Sequence, residues 1–287
     1  MQAMRALRRL WVGFGVSMLG IGLAWAQPTP PQASPLTLGV LPNISARLLL
    51  AQYQPWRESL AQALGRPVEV ATAPHFRAFA QATAQRQYQL IVTAPNLGRV
   101  AQLDHGWVPL GVYEPGIPAL LVTAAGNRDD SVQQLRGKAL ALANPQSLVA
   151  LVGLKWLADQ GVRAGTDVRI VQTANDDSLG TLLLSGEAPM AMMSQGEYRA
   201  KTEAMQKSLR IVAEMARLPG FLVMASPDLP PAERQRVQGW LLGFPDSPAG
   251  QRFLGASGFT GIRAVQARDL LFLDDFVDVT RRSLTGD

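Results

Sequence analysis

Leu36-Thr-Leu-Gly-Val-Leu41 is an apolar run of strand length, and Pro42-Asn-Ile-Ser45 comes directly after it. Ser45 is a helix N-cap residue type. The amphipathic stretch behind it ends at Gly65-Arg-Pro67, a glycine stop followed by proline. A second strand is expected over 68–71, then a helix from Pro74 to about Gln87 and a third strand over 89–93. Strands separated by helices make βαβ units, whose crossovers require parallel pairing and a sheet covered on its faces.

The pattern continues outward from this unit. Apolar runs at 107–113 and 117–124 precede a polar break at Gly126-Asn-Arg-Asp-Asp130, where a second series begins. Strands are predicted at 138–143, 168–173, 190–193 and 209–214. Helices are predicted at 147–160, 178–184 and 195–208. Residues 221–225 are apolar again, and 230–284 reads as three helices broken at Pro245 and Gly258. Periodicity alone fits one large doubly wound domain as well as two lobes flanking a cleft, with the tail returning to the first lobe.

Composition mainly excludes. The 287 residues are 47% hydrophobic and 17% charged and contain no cysteine. That rules out disulfides, thiolate metal sites and a cysteine nucleophile. The two histidines, His75 and His105, are too few for a His-rich zinc centre. No metal and no cofactor are expected.

Arg5, Arg8 and Arg9 precede an uncharged run of 14 residues from Leu10 to Leu23, and Ala24-Trp-Ala26 closes it. This is the pattern of an export signal cleaved after Ala26, since a spanning helix needs about 20 apolar residues. Removing those arginines takes the 27 basic residues to 24 against 22 acidic ones, so the net charge falls from +5 to about +2. There is no basic cluster interleaved with aromatics, which excludes a nucleic-acid partner. Residues 27–35, rich in proline, read as a tether.

Four strand-to-helix turns carry small polar groups: Pro42-Asn43-Ile44-Ser45, Thr93-Ala94-Pro95-Asn96, Asn144-Pro145-Gln146-Ser147 and Asn175-Asp176-Asp177-Ser178. Each can be an ordinary cap. Together, at equivalent ends of successive strands, they describe a polar cleft in which free helix N–H groups favour an anion. Asp176 and Asp177 oppose a simple dianion and suit a ligand bearing an amine. His75 in Ala-Pro-His-Phe is the candidate base of a cleft enzyme, with Asp176 or Asp177 as its partner. His105 reads as a solvated helix end. No Gly-x-Ser-x-Gly elbow, P-loop or dinucleotide fingerprint is present, so an enzyme is not the expected reading.

Taken in order, several segments resemble the periplasmic phosphonate-binding protein family, the solute-binding subunits of phosphate/phosphite/phosphonate ABC importers. They are Gly-Val-Leu-Pro-Asn-Ile-Ser (39–45), Leu-Gly-Arg-Pro-Val-Glu-Val (64–70), Gln-Leu-Ile-Val-Thr-Ala-Pro (89–95), Leu135-Arg-Gly-Lys138 leading to Ala143-Asn-Pro-Gln-Ser147, and Asn-Asp-Asp-Ser-Leu (175–179) leading to Leu-Ser-Gly-Glu (184–187). The resemblance implies an α/β, two-lobed periplasmic-binding-protein fold, each lobe a covered, mostly parallel sheet, joined by a two-strand hinge. Lobe one would comprise 36–119 plus 222–287, and lobe two 120–221.

It further implies a periplasmic monomer that captures a small polar or anionic solute by lobe closure and delivers it to an ABC permease. A ligand-sensing partner of a membrane receptor or sensor kinase is the alternative. In the family a Ser-Thr-Ser-Gly turn holds phosphonate oxygens. Here it is Ser147-Leu-Val-Ala, which retains one hydroxyl. A ligand-binding His of the family aligns with Asp176, its aromatic hydroxyls with Phe76 and Gly98, and its acidic residue with Gly196 or Glu197. Arg99 is a nearby cation that could replace lost donors. The candidate ligand-binding residues are Asn43, Ser45, His75, Phe76, Asn96, Ser147, Asp176, Asp177 and Glu197.

Overall fold

A computed structural model describes residues 34–128, 131–173 and 176–285, without the side chains of Asp176 and Asp177. The expected signal at 1–26 and most of the tether lie outside the described residues. Of the tether, exposed Ser34 accepts hydrogen bonds through its carbonyl from the Arg66 guanidinium, which also pairs with Glu233 at 2.8 Å.

The first α/β series is β1 (Leu36–Val40), α1 (Ala46–Gln52), α2 (Gln54–Leu64), β2 (Val68–Ala71), α3 (Phe76–Ala84), β3 (Leu90–Thr93), α4 (Pro95–His105) and β4 (Val108–Glu114). The second is β5 (Ile117–Ala124), β6 (Ala139–Leu142), α5 (Leu148–Asp159), β7 (Arg169–Gln172), α6 (Asp176–Ser185), β8 (Met190–Ser194), α7 (Gln195–Arg199), α8 (Glu203–Lys207) and β9 (Leu209–Leu218). The chain ends with β10 (Leu222–Ala225), α9 (Pro231–Gly243), α10 (Pro248–Ser257), β11 (Gly261–Arg263), α11 (Ala267–Asp274) and α12 (Val277–Thr285).

Three expectations change. The helix predicted behind Ser45 is two helices meeting at Tyr53, because Pro55 has no N–H to continue the first and sits at the start of the second. The helix predicted over 195–208 is interrupted at 200–202, where the Thr202 hydroxyl accepts from the Met205 N–H and caps a new helix. The tail holds a strand, β11, and four α-helices instead of three. The three residues of β11 are too few to show a period.

Two sheets result. In the first the strand order is β11-β4-β10-β3-β1-β2, and in the second β7-β6-β8-β5-β9. Strands β2, β1 and β3 pair parallel, as do β7, β6 and β8. The strands beyond them pair antiparallel. Each sheet is therefore parallel on one side and antiparallel on the side where the chain passes to the other sheet. Among the described residues no helix is long and apolar enough to cross a membrane.

Period-two alternation divides the cores. Leu90 and Val92 of β3, with Val223 and Ala225 of β10, face a cluster with Trp56, Leu60, Leu241 and Phe253 on one side of the first sheet. Ile91, Leu222 and Met224 face the opposite side with Phe79, Leu97 and Ala101. That second cluster continues into the other sheet through Leu121, Leu140, Met190, Met192 and the buried face of α5. The remaining face of the second sheet, Leu120, Val122, Ala141 and Ala191, is closed by Leu179 and Leu183 of α6. One apolar layer is thus shared by both sheets.

The chain passes between the sheets twice, at Glu114-Pro-Gly-Ile117 and at Leu218-Pro-Gly-Phe-Leu222. These passages touch backbone to backbone. A Cβ on Gly116 would lie 2.5 Å from the Leu218 carbonyl oxygen, and one on Gly220 would collide with the Tyr113 carbonyl. Any side chain at either glycine must push the two passages apart. Gly220→Ala is expected to lower unfolding free energy by about 1–3 kcal/mol, the usual cost of overpacking. Gly239→Ala, inside α9 with nothing within 4 Å of the added carbon, is expected to be neutral or stabilising by up to about 1 kcal/mol. Urea midpoints of the two variants check both.

Candidate functional site

A cleft of about 520 Å³ opens beside the two passages. The first sheet supplies the ends of β1 and β3 and the turns after them, with Leu41, Asn43, Ile44, Ala94 and Pro95. The second supplies the start of α5 (Ser147, Leu148, Val149) and of α7 (Ser194 to Glu197), with Arg199. The passages contribute Pro115 to Pro118 and Leu218, Pro219 and Phe221. The last turn of α10 and the residues after it add Gly255 to Phe259. Both sheets and both passages therefore reach one cavity, within the 300–1,000 Å³ typical of small-molecule sites.

Its charged lining is sparse: among the described residues, Glu197 and Arg199 are the two. The Glu197 carboxylate accepts from the Ser194 N–H while the Ser194 hydroxyl accepts from the Glu197 N–H at 3.1 Å, a reciprocal cap on α7. Arg199 is exposed, and among the described residues its guanidinium has no ion-pair partner. At the α5 start, the Ser147 hydroxyl accepts from the Ala150 N–H at 3.1 Å and gives its proton to the Asn144 carbonyl at 2.9 Å. The N–H groups of Leu148 and Val149 have no partner among the described residues, as the first turn of any helix requires.

The first passage is anchored from outside. The Arg263 Nε donates to Glu114 at 2.7 Å, and its two terminal nitrogens bind both oxygens of buried Asp269 at 2.7 and 2.8 Å. The Arg263 hydrogen bonds hold the Asp269 carboxyl below the usual carboxylate range, aided by the Gln266 N–H.

Residues 38–270 match the family described as ABC transporter, phosphonate, periplasmic substrate-binding protein. The chain belongs to that family. Its members are substrate-binding components and not enzymes, so this phosphonate-binding family protein is a periplasmic solute-binding protein of an ABC importer. No curated protein sequence matches the chain significantly. Among solved structures, the XAC2383 protein from Xanthomonas citri bound to chloride ion has 18% identity and a TM-score of 0.76, covering 89% of this chain and 100% of that one. PhnD1 from Prochlorococcus marinus in complex with methylphosphonate has 12% identity and a TM-score of 0.73, covering 86% and 97%. The periplasmic aliphatic sulphonate binding protein SsuA from Escherichia coli has 15% identity and a TM-score of 0.63, covering 87% and 92%. At these identities the likeness shows the fold, which is the two-lobed periplasmic-binding-protein fold with two chain passages between the lobes.

Within this family protein, the residues singled out from sequence separate into three groups. Asn43, Phe76, Ser147 and Glu197 line the cleft. Ser45, His75 and Asn96 do not. Ser45 is an exposed N-cap of α1 without a side-chain cap bond. The His75 Nδ1 accepts the Ala78 N–H at 3.1 Å, which makes it the cap of α3 and removes the base from the cleft-enzyme alternative. Asn96 is buried, and its amide nitrogen donates to the Gln146 carbonyl and to the Thr280 hydroxyl, both at 3.2 Å. It joins α4 to the turn before α5 and to α12. The Gln146 amide repeats the link by donating to the Ser283 carbonyl at 2.7 Å. Asp176 and Asp177 begin α6, and their side chains lie outside the described ones. Arg99 pairs with Asp274 at 2.7 Å on α11.

Sequence reasoning overlooked Ile44, Tyr53, Phe221, Phe259 and Arg199, all cleft-lining. The Pro-Gly dipeptides at 115–116 and 219–220 mark two abrupt changes of chain direction and could have pointed to Phe221; no local signal marks the other four. Because Asp269 has a lowered folded-state value, its pairing stabilises above pH ~4, the ordinary aspartate range, and is lost as pH falls through the lowered value. Urea midpoints followed from about pH 7 to pH 3 should fall for the native chain. The fall should be shallower in Asp269→Asn, which starts lower.

Proposed function

We propose that the chain binds a small anionic solute in this cleft, closes its two lobes over it by bending at the Pro-Gly passages, and presents the closed form to a permease. The observation that carries this reading is that one cavity draws its lining from both sheets and both passages. A ligand touching both walls binds the closed form better than the open one, and that difference in affinity drives closure. Arg199 and the unpartnered N–H groups of Leu148 and Val149 supply positive potential for an anion. Solved structures of the same fold hold methylphosphonate or chloride, and another is an aliphatic sulphonate binder.

In this reading Asn43, Phe76, Ser147, Glu197 and Arg199 contact the ligand, with Ser147 acting through the helix start it caps. Asp176 and Asp177 remain candidates for a ligand amine. The mature chain begins at Gln27 after cleavage following Ala26, is tethered by residues 27–35, and works as a monomer. Lobe one is taken as 36–119 with 222–287 and lobe two as 120–221, although Ile117 to Ala119 already pair within the second sheet.

The test is thermal denaturation of the mature chain with phosphate, methylphosphonate, alkanesulfonates and small carboxylates. A ligand at a hundred times its dissociation constant adds about 2.7 kcal/mol, an upward shift of several degrees. An upward shift with at least one anion is expected, with affinity falling as ionic strength rises. Arg199→Glu should weaken that anion roughly tenfold, since one exposed pair is lost and one repulsion gained. Indifference to every anion overturns the reading.

A further inference from the structure

We infer that the solute carries a substantial apolar body, an alkyl chain or ring, seated against an aromatic wall built from Tyr53, Phe221 and Phe259. This rests on the preceding reading that the cleft is the ligand site. Size is the first argument. At roughly 30 Å³ per water-sized group, 520 Å³ holds about 17 such groups. A one-carbon anion with about five non-hydrogen atoms leaves most of that space to water.

The second argument is the chemistry of the wall. Phe221 and Phe259 are half-buried, their rings 5.8 Å apart and crossed at 73°. Both rest on Tyr113, at 6.3 and 5.1 Å, which is itself fully buried. Tyr53, buried but also part of the lining, packs on Phe253 at 5.1 Å. Its hydroxyl meets that of Tyr113 at 3.2 Å. Burial pushes both phenols well above their ordinary range, so they stay neutral. These rings come from three separate elements and are fixed from behind, so they form a preformed surface.

The rest of the lining continues the same character. The first turn of α5 presents the side chains of Leu148 and Val149 beside its N–H groups, and Ile44 and Leu218 also line the cleft. With Glu197 engaged in capping α7, the cleft offers, among the described residues, one cation, a few N–H donors and an apolar remainder far larger than a headgroup needs. A ligand with a tail removes that remainder from water. A bare headgroup leaves it wet.

The test is isothermal titration calorimetry with straight-chain phosphonates from methyl to hexyl, the matching sulfonates, and hexylamine as a cationic probe with the same tail. Each buried methylene is worth about 0.8 kcal/mol, so the dissociation constant should fall roughly three- to fourfold per carbon and more than a hundredfold across the series. The heat capacity of binding should become more negative with chain length. In Phe259→Ala the hexyl-to-methyl affinity ratio should drop about tenfold. Phe259→Leu, which keeps volume, covers the case in which the alanine variant does not fold, and should lower the ratio less.

Methyl anions that bind as tightly as hexyl ones, or a ratio unmoved in a folded Phe259 variant, overturn this inference and leave the anion reading standing. Binding of hexylamine with silence from every anion overturns the anion reading and keeps the apolar wall. Silence from every probe, methyl to hexyl and hexylamine alike, overturns both.

Discussion

Everything in this molecule that concerns a ligand depends on two glycines that let the chain pass itself. Gly116 lies against the Leu218 carbonyl and Gly220 against that of Tyr113. The two passages are therefore one contact, and neither can shift without the other. Because β5 and β9 pair within the second sheet, and β4 and β10 within the first, each passage is gripped at both ends by antiparallel partners. The antiparallel side of each sheet is a consequence. Strands that leave together for the other sheet run in opposite directions, whereas strands joined by crossover helices run parallel.

A layer shared by both sheets then sets how far they can separate. The apolar cluster that runs from Ile91 and Leu97 through Leu218 to Leu121 and Leu151 lies against the passages. The two sheets also meet through polar groups: Asn96 and Gln146 are hydrogen-bonded to each other and to α12. Asn96 and Thr280 are buried, so this contact holds the sheets together alongside the apolar layer, each bond contributing about 1 kcal/mol net.

The βαβ runs were legible in the sequence because they are local: an apolar run, a cap residue and a glycine stop occur within thirty residues, as at Leu36 to Gly65. The lobes were not legible from periodicity, since β4 and β10 are neighbours in space and more than a hundred residues apart in sequence. Among candidate site residues, small polar side chains at strand ends were found. Half of their meaning was hidden, because a serine or histidine that caps a helix and one that faces a ligand look the same in sequence. His75 and Ser147 are both caps, and only Ser147 lies on the cleft. The aromatic wall was invisible for the opposite reason. Tyr53, Phe221 and Phe259 come from three distant segments, and an isolated aromatic residue reads as core until its neighbours are known.

The helix start at Ser147 bears on how one fold could keep a site and change its solute. If an anion binds there as proposed, the donors that would meet it are backbone N–H groups, present whatever the side chains are. Ser147 needs only to cap the helix, and its proton is already committed to Asn144. Residues 148 and 149 are therefore free to be apolar without removing those donors. Leucine and valine at these positions offer contact area in place of side-chain hydrogen bonds. A headgroup held by backbone alone would be recognised by charge and size, which many anions share. Under the proposal, the lining side chains, Leu148 and Phe259 among them, would be the part of the cleft that tells one such anion from another.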